Sequence, residues 1–250
     1  MQVWVFLLCL RSNTELAAPE DSELKTLSAL DESKYASKRK RTMPNFNGVI
    51  DISHHNGNVN LTTAKADGIV GVIQKATQGQ RGADPTYARN RGRAATAGLL
   101  WGAYHFGTGS DGVRQAENFL GVVGNRAGLL VLDLEPNPTG PSMSLEEARA
   151  FVTHVREKTG HFPGLYSGHY IKQLLGTNSD PILAKCWFWL AQYGPTPVVP
   201  PNWPTWTMWQ YTDGAFGPEP HSVRGIGRSD RDMFNGDETK LRGFWASETS

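Results

Sequence analysis

The chain is poor in the features that most directly report a compartment or a partner. Cysteine occurs twice, as Cys9 in an apolar N-terminal stretch and Cys186 at the start of another apolar segment. A structural disulfide is therefore not expected, Cys186 reads as a buried thiol, and cysteine usage leaves the redox compartment open. An excess of one charge is also missing: 25 Lys and Arg face 24 Asp and Glu, a formal balance of +1 with histidine neutral. That balance gives no footprint for nucleic acid, and no P-loop, dinucleotide fingerprint or basic recognition helix is found. The histidines His54, His55 and His105 match no standard zinc spacing, so no metal or other cofactor is expected.

Long apolar runs are absent too. The longest at the N-terminus, Val3 to Leu10, has eight residues, far short of the roughly 20 that span a bilayer. It has the length of the apolar part of an export signal, and "ELAA" offers a cleavage point, but no Lys or Arg precedes it. A secreted, periplasmic or wall-directed protein and an unstructured start both remain open. Polar sequence then continues to Pro44, including the basic cluster Lys38 to Arg41, which reads as a solvated linker. Residues 1–44 are thus expected to be a signal-like or disordered extension, and 45–250 the folded domain.

In that domain, short apolar runs alternate with amphipathic ones. "GVIDIS", "GIVGVIQKAT", "LLWGAYHFG", "GLLVLDLE", "FPGLYSG" and "CWFWLAQYG" read as strands, with helical segments between them. Asp84 is expected to N-cap one helix, with Pro85 in its first turn and Gly98 as its stop. Another helix should bury Val113, Ala116, Phe119 and Leu120, and a third opens with the capping-box pair Ser144 and Glu147. After Gly194 a proline-rich connection leads to "TWTMWQYTDG" and "RSDRDMF", two further strands without a long helix between them. Five strands with helical crossovers followed by strands without them suggest a closed α/β barrel; an open parallel sheet is the alternative.

Acids stand where such strands end. Asp133 and Glu135 close the apolar run Leu129 to Leu132, Asp51 lies late in the first strand, and Asp230 belongs to the last. Strand side chains alternate faces, so Asp133 and Glu135 should point the same way with their Cα atoms about 6.6 Å apart. Carboxylates crowded at a partly buried rim repel, which lets one keep its proton near neutral pH. A protonated acid beside an ionised partner suits acetal cleavage; a divalent-metal site is the other reading of clustered carboxylates. Lys75 either pairs with these acids or lays its stem on the rim, and His105 reads as a hydrogen-bonded rim residue. Tyr104, Tyr166, Trp189, Tyr193, Trp209 and Tyr211 recur late in strands. Their faces can stack on sugar rings, leaving hydroxyls for Gln192, Gln210 and the acids.

The ordered segments "GVIDISHHNG", "IQKATQG", "DPTYARNRGRAATAGLLWGAYHF", "LLVLDLE", "GLYSG", "WFWLAQYG", "WTMWQYTDG" and "SDRDMFNG" resemble glycoside hydrolase family 25, the Chalaropsis-type lysozymes, over about Asn47 to Gly236. The resemblance implies a TIM-like (β/α)5(β)3 barrel and retaining N-acetylmuramidase activity on peptidoglycan, without a cofactor. It makes Glu135 the general acid/base, with Asp133, Asp51 and Asp230 as the other catalytic acids. Lys75, Tyr104, His105, Tyr166, Gln192, Trp209 and Gln210 would then bind substrate. Two departures stand out. The family commonly has Asn where this chain has Asp232, and no wall-binding repeat follows the last motif, so capture is expected to rest on the cleft or on separate delivery. A monomer is expected, and a non-catalytic wall-glycan binder on the same fold is the alternative function.

Overall fold

The structure, a computed structural model, describes residues 45–124 and 128–250; the extension expected over 1–44, with Cys9, lies outside them. Eight strands form the core: β1 (Phe46–Ile52), β2 (Gly71–Gln78), β3 (Leu100–Phe106), β4 (Leu129–Asp133), β5 (Gly164–Ser167), β6 (Phe188–Ala191), β7 (Met208–Thr212) and β8 (Arg231–Phe234). Each pairs with the next, and β8 returns to β1, so the sheet closes. Closure removes the unpaired edges an open sheet would leave. Helices α1 (Leu61–Ala66), α2 (Tyr87–Ala97), α3 (Gly112–Val123), α4 (Leu145–Thr159) and α5 (His169–Leu175) occupy the first five crossovers. The connections β6–β7 and β7–β8 carry no α-helix, which gives the expected (β/α)5(β)3 barrel.

Strand parity organises the packing. Val49, Ile73, Leu129, Val131, Tyr166, Trp189, Met208 and Phe234 fill the barrel interior. Their neighbours Ile50, Val72, Ala103, Leu132, Leu165 and Phe188 face outward against the helices. β8 departs from the parallel arrangement: it runs antiparallel to both β1 and β7, pairing Ile50 with Arg231 and Gln210 with Asp232. Its first residue therefore lies at the rim where the other strands end.

The interior is closed from below by a helix the sequence reading did not anticipate, α6 (Glu238–Ser247). Leu241 and Trp245 join the interior cluster, and Trp245 Nε1 donates to the Trp101 carbonyl at 2.8 Å. Gly71 leaves the room for this, since a Cβ there would stand 2.9 Å from the Trp245 ring.

The helix signals hold in part. Ser144 and Glu147 form the expected capping box. At α2 the N-cap is Thr86, not Asp84, and the helix begins at Tyr87. Asp84 instead turns back to accept from the His54 backbone N–H and from Thr86, whose tight local bonds take the place of a cap. In α3, Val113 is exposed and Gln115 is buried in its place, for a reason that lies in His105.

Candidate active site

Four acids meet at the rim formed by the C-terminal ends of the parallel strands. Asp51 is the penultimate residue of β1, Asp133 ends β4, and Glu135 stands two residues further on, where Leu134 N–H still bonds the Tyr166 carbonyl at 2.9 Å and so extends the strand alternation. Asp230 reaches the same rim from the residue preceding antiparallel β8. The four line a pocket of about 190 Å³ together with Tyr104, Tyr166, Trp189, Tyr193 and Gln210. This is the face on which (β/α) barrels build their sites from strand ends.

Gln210 ties the pocket together. Its Nε2 donates to Asp51 Oδ2 at 2.7 Å, while its Oε1 accepts from the hydroxyls of Tyr166 at 2.9 Å and Tyr193 at 3.0 Å. Two hydroxyl donors on one oxygen fix the amide's orientation, and the remaining N–H is committed to the carboxyl. Beneath it, Tyr166 meets Trp189 edge-on with centroids 4.8 Å apart.

Burial and mutual repulsion hold these acids toward their neutral forms. Glu135, half-buried, is raised from 4.5 to about 6, by desolvation first and then by Asp230. Asp230 is raised to about 6 by desolvation and by Asp213. Asp133 lies well above its usual range because it is buried beside Glu135, although the charge of Lys75 works the other way. Asp51 is raised by burial, then by Asp230 and Asp232, against the lowering bond from Gln210. Asp133 Oδ1 is buried with no protein hydrogen-bond partner, the costly situation for an ionised oxygen.

The binding residues expected from the sequence divide by strand parity. Tyr104, Tyr166 and Gln210 line the pocket. His105, next to Tyr104, faces the other way: it is buried between barrel and helices, bonded to Thr77 Oγ1 at 2.7 Å and Gln115 Oε1 at 3.1 Å, and stacked on Phe151. Burial lowers it to about 4, so it is a neutral packing residue and not a rim residue. Trp209, next to Gln210, likewise faces outward and donates to the Gln192 carbonyl at 2.7 Å. Gln192 lies beyond β6 and bonds Thr196 and Val198, bracing the proline-rich connection instead of lining the pocket. Lys75 does not pair directly with an acid: its ammonium bonds Gln78 Oε1 at 2.8 Å and sits over the Phe106 ring, reaching Asp133 only as a nearby charge.

Asp232 points inward and is fully buried, accepting from Trp189 Nε1 at 2.8 Å. Its carboxyl, pushed well up by burial, thus sits inside the barrel near Asp51. The pair His54 Nδ1 and Asp84 Oδ2, 2.9 Å apart, went unnoticed in the sequence because its members are 30 residues apart.

A larger concavity, about 730 Å³, opens at the opposite end, around Leu130, His154, Lys158, Phe162 and Trp187. It holds none of the four acids. Among the described residues no cluster of His, Cys, Asp or Glu has the arrangement of a metal site.

The sequence profile described as glycosyl hydrolases family 25 matches residues 50–218. The chain belongs to this family. It is thereby a glycoside hydrolase, and the matched segment contains Asp51, Asp133 and Glu135, with Asp230 lying beyond it. Lysozyme M1 of Streptomyces globisporus is 34% identical over 208 residues, covering 77% of this chain and 69% of the relative. The N,O-diacetylmuramidase of a Chalaropsis species is 29% identical over 195 residues, covering 70% of this chain and 92% of the relative. Among solved structures, a bacterial lysozyme from Streptomyces coelicolor superposes with a TM-score of 0.70 at 31% identity, covering 80% of this chain and 96% of that one. A family 25 lysozyme from Aspergillus fumigatus gives 0.68 at 32% identity, covering 81% and 99%.

Proposed function

We propose that this family 25 hydrolase is an N-acetylmuramidase. It cleaves the β-1,4 bond between N-acetylmuramic acid and N-acetylglucosamine in peptidoglycan, with retention of configuration. The observation that carries the reading is Glu135: a half-buried carboxyl at the pocket wall, raised to about 6 among three other acids. The lysozyme and muramidase relatives supply the substrate class.

Glu135 gives its proton to the glycosidic oxygen as the C1–O bond breaks and the leaving sugar departs as an alcohol. The positive charge that develops on the ring is stabilised by those acids of the cluster that are ionised at the working pH, which a low-dielectric pocket makes more effective than water would. Asp133, kept toward neutrality by burial and by Glu135, is poorly suited to attack as a free carboxylate. It instead orients the substrate's own N-acetyl carbonyl, whose oxygen attacks C1. Water then opens that intermediate from the vacated face, with ionised Glu135 taking its proton, and two inversions leave the β configuration. Asp51 and Asp230 hold the ring and set the charge of the pocket, while Gln210 keeps Asp51 in place.

The substrate lies outside the cytoplasmic membrane, so the protein acts there as a secreted or wall-directed enzyme. Among the described residues no helix is long and apolar enough to cross a membrane.

Digestion of purified peptidoglycan, followed by borohydride reduction and sugar analysis, tests the reading. The wild type should yield reduced muramic acid, and Glu135→Gln should bind the wall yet lose nearly all turnover. Reduced glucosamine as the new end, or undiminished turnover in Glu135→Gln, would overturn it.

A further inference from the structure

Asp232 is an acid inside the barrel that the mechanism leaves unused. Across the β8 pairings it stands opposite Val49 of β1 and Gln210 of β7. Its side chain therefore lies in the interior layer beneath Asp51 and Asp230, which stand two residues nearer the rim on the same inner face. The carboxyl is completely enclosed, and its two oxygens differ. Oδ1 accepts from Trp189 Nε1 at 2.8 Å, whereas Oδ2 is buried with no protein hydrogen-bond partner. An ionised carboxylate needs donors on both oxygens, or a cation, to replace the water it has lost. Arg231, the next residue, alternates to the outer face and gives its guanidinium to the Ser222 carbonyl and to Asn47 Oδ1, at 2.8 and 3.3 Å. The other charged groups facing Asp232 are Asp51 and Asp230, and both repel a negative charge there. Enclosure, the missing donor and two acid neighbours keep the proton on Asp232, with Arg231 only partly opposing them.

A neutral carboxyl oxygen still accepts from an indole N–H, as a side-chain amide oxygen does. The bond matters because of what the indole supports. Trp189 reaches from β6 to Asp232 on β8 and forms part of the wall of the acid pocket. Tyr166 packs edge-on against it, with centroids 4.8 Å apart. The Tyr166 hydroxyl in turn donates to Gln210 Oε1, and the Gln210 amide holds Asp51. Asp232 is thus the inner anchor of a chain of contacts that ends on a rim acid.

We propose that Asp232 is a positioning residue for the reaction: an uncharged acid, interchangeable with an amide, that fixes the Trp189 indole and, through Tyr166 and Gln210, the place of Asp51. This rests on the glycan-hydrolase reading of the pocket above it and adds no charge to that pocket. Glu135 is pushed up by burial and by Asp230, not by Asp232, so the activity limb near pH 6 is independent of Asp232.

The test compares wild type, Asp232→Asn and Asp232→Leu, by turnover of peptidoglycan and by the indole N–H signal of Trp189 in nitrogen-labelled protein, identified with Trp189→Phe. Asp232→Leu should lower kcat roughly ten- to hundredfold, the cost of a displaced active-site group, with KM within about threefold, and should shift the indole signal upfield as its acceptor is lost. Asp232→Asn should keep the signal downfield, hold kcat within about threefold and leave the pH midpoint near 6 unmoved. A moved midpoint in Asp232→Asn, or a kcat as low as that of Asp232→Leu, would show that Asp232 acts through its charge and overturn the proposal. Unchanged kcat or an unmoved indole signal in Asp232→Leu would overturn it as well. Should Asp232→Leu fail to fold, carbon NMR of aspartate labelled at Cγ decides, with the Asp232 signal identified by its loss in Asp232→Asn. A carboxyl still protonated at pH 7 supports the proposal, and one already ionised there overturns it. Indole signals as expected in a protein that releases no muramic acid ends would keep Asp232 as the anchor of the pocket and sink the muramidase reading instead.

Discussion

Replacing Glu135 by Gln should stabilise the fold at neutral pH while removing turnover. In the folded protein this carboxyl is raised from 4.5 to about 6. A raised acid costs nothing below the unfolded value, where both states are protonated, and costs most above the folded value, where both are ionised. The gap between about 6 and 4.5 corresponds to about 2 kcal/mol above pH 6. Because part of the side chain stays in water, a gain of about 1–2 kcal/mol is the reasonable expectation for Glu135→Gln. For a domain of this size that is roughly a 2–8 °C rise in Tm. Urea unfolding of wild type and variant at pH 4 and pH 8 makes the comparison: the variant should gain only at pH 8. Equal stability at both values, or a loss at pH 8, would show that Glu135 is not held in its neutral form by its surroundings.

Three other outcomes follow from the same geometry. The wild-type kcat/KM should fall as pH rises through about 6, where Glu135 loses its proton; a flat profile from pH 5 to 8 would remove Glu135 as the acid. Gln210→Leu leaves two tyrosine hydroxyls and Asp51 without their shared partner. At about 1–3 kcal/mol for an unsatisfied buried group, kcat/KM should drop roughly 10- to 100-fold, and an unaffected variant would show that the amide does not organise the pocket. His105→Phe should lower Tm, since Thr77 and Gln115 lose their partner, while activity per folded molecule persists; the reverse pattern would return His105 to the cleft.

Much of this architecture was legible because strand grammar is local. Apolar runs such as Leu129 to Leu132, broken by Gly and Pro, mark strands whether or not the partner strand is known. The same local rule placed Asp133 and Glu135 on one face, and it contained an unused warning. Tyr104 and His105, or Trp209 and Gln210, are consecutive on one strand and cannot both enter the barrel, so one of each pair belonged to the outer packing from the start. What stayed hidden was non-local. The antiparallel course of β8, which brings Asp230 to the rim and Asp232 inside, depends on pairing with β1 some 180 residues earlier. Helix α6 is held by the barrel floor through Trp245 and Gly71, contacts its own periodicity does not announce. Asp84 has the composition of a cap, yet His54 recruits it.

The central claim is that Glu135 still holds its proton close to neutral pH in the free enzyme. Carbon NMR of glutamate labelled at Cδ, with the Glu135 signal identified by its disappearance in Glu135→Gln, measures this directly between pH 3 and 8. A titration midpoint near 6 is the expected result. A midpoint at or below the ordinary 4.5 would mean that the carboxyl is ionised before any glycan arrives, and the proton transfer assigned to it would have to come from elsewhere.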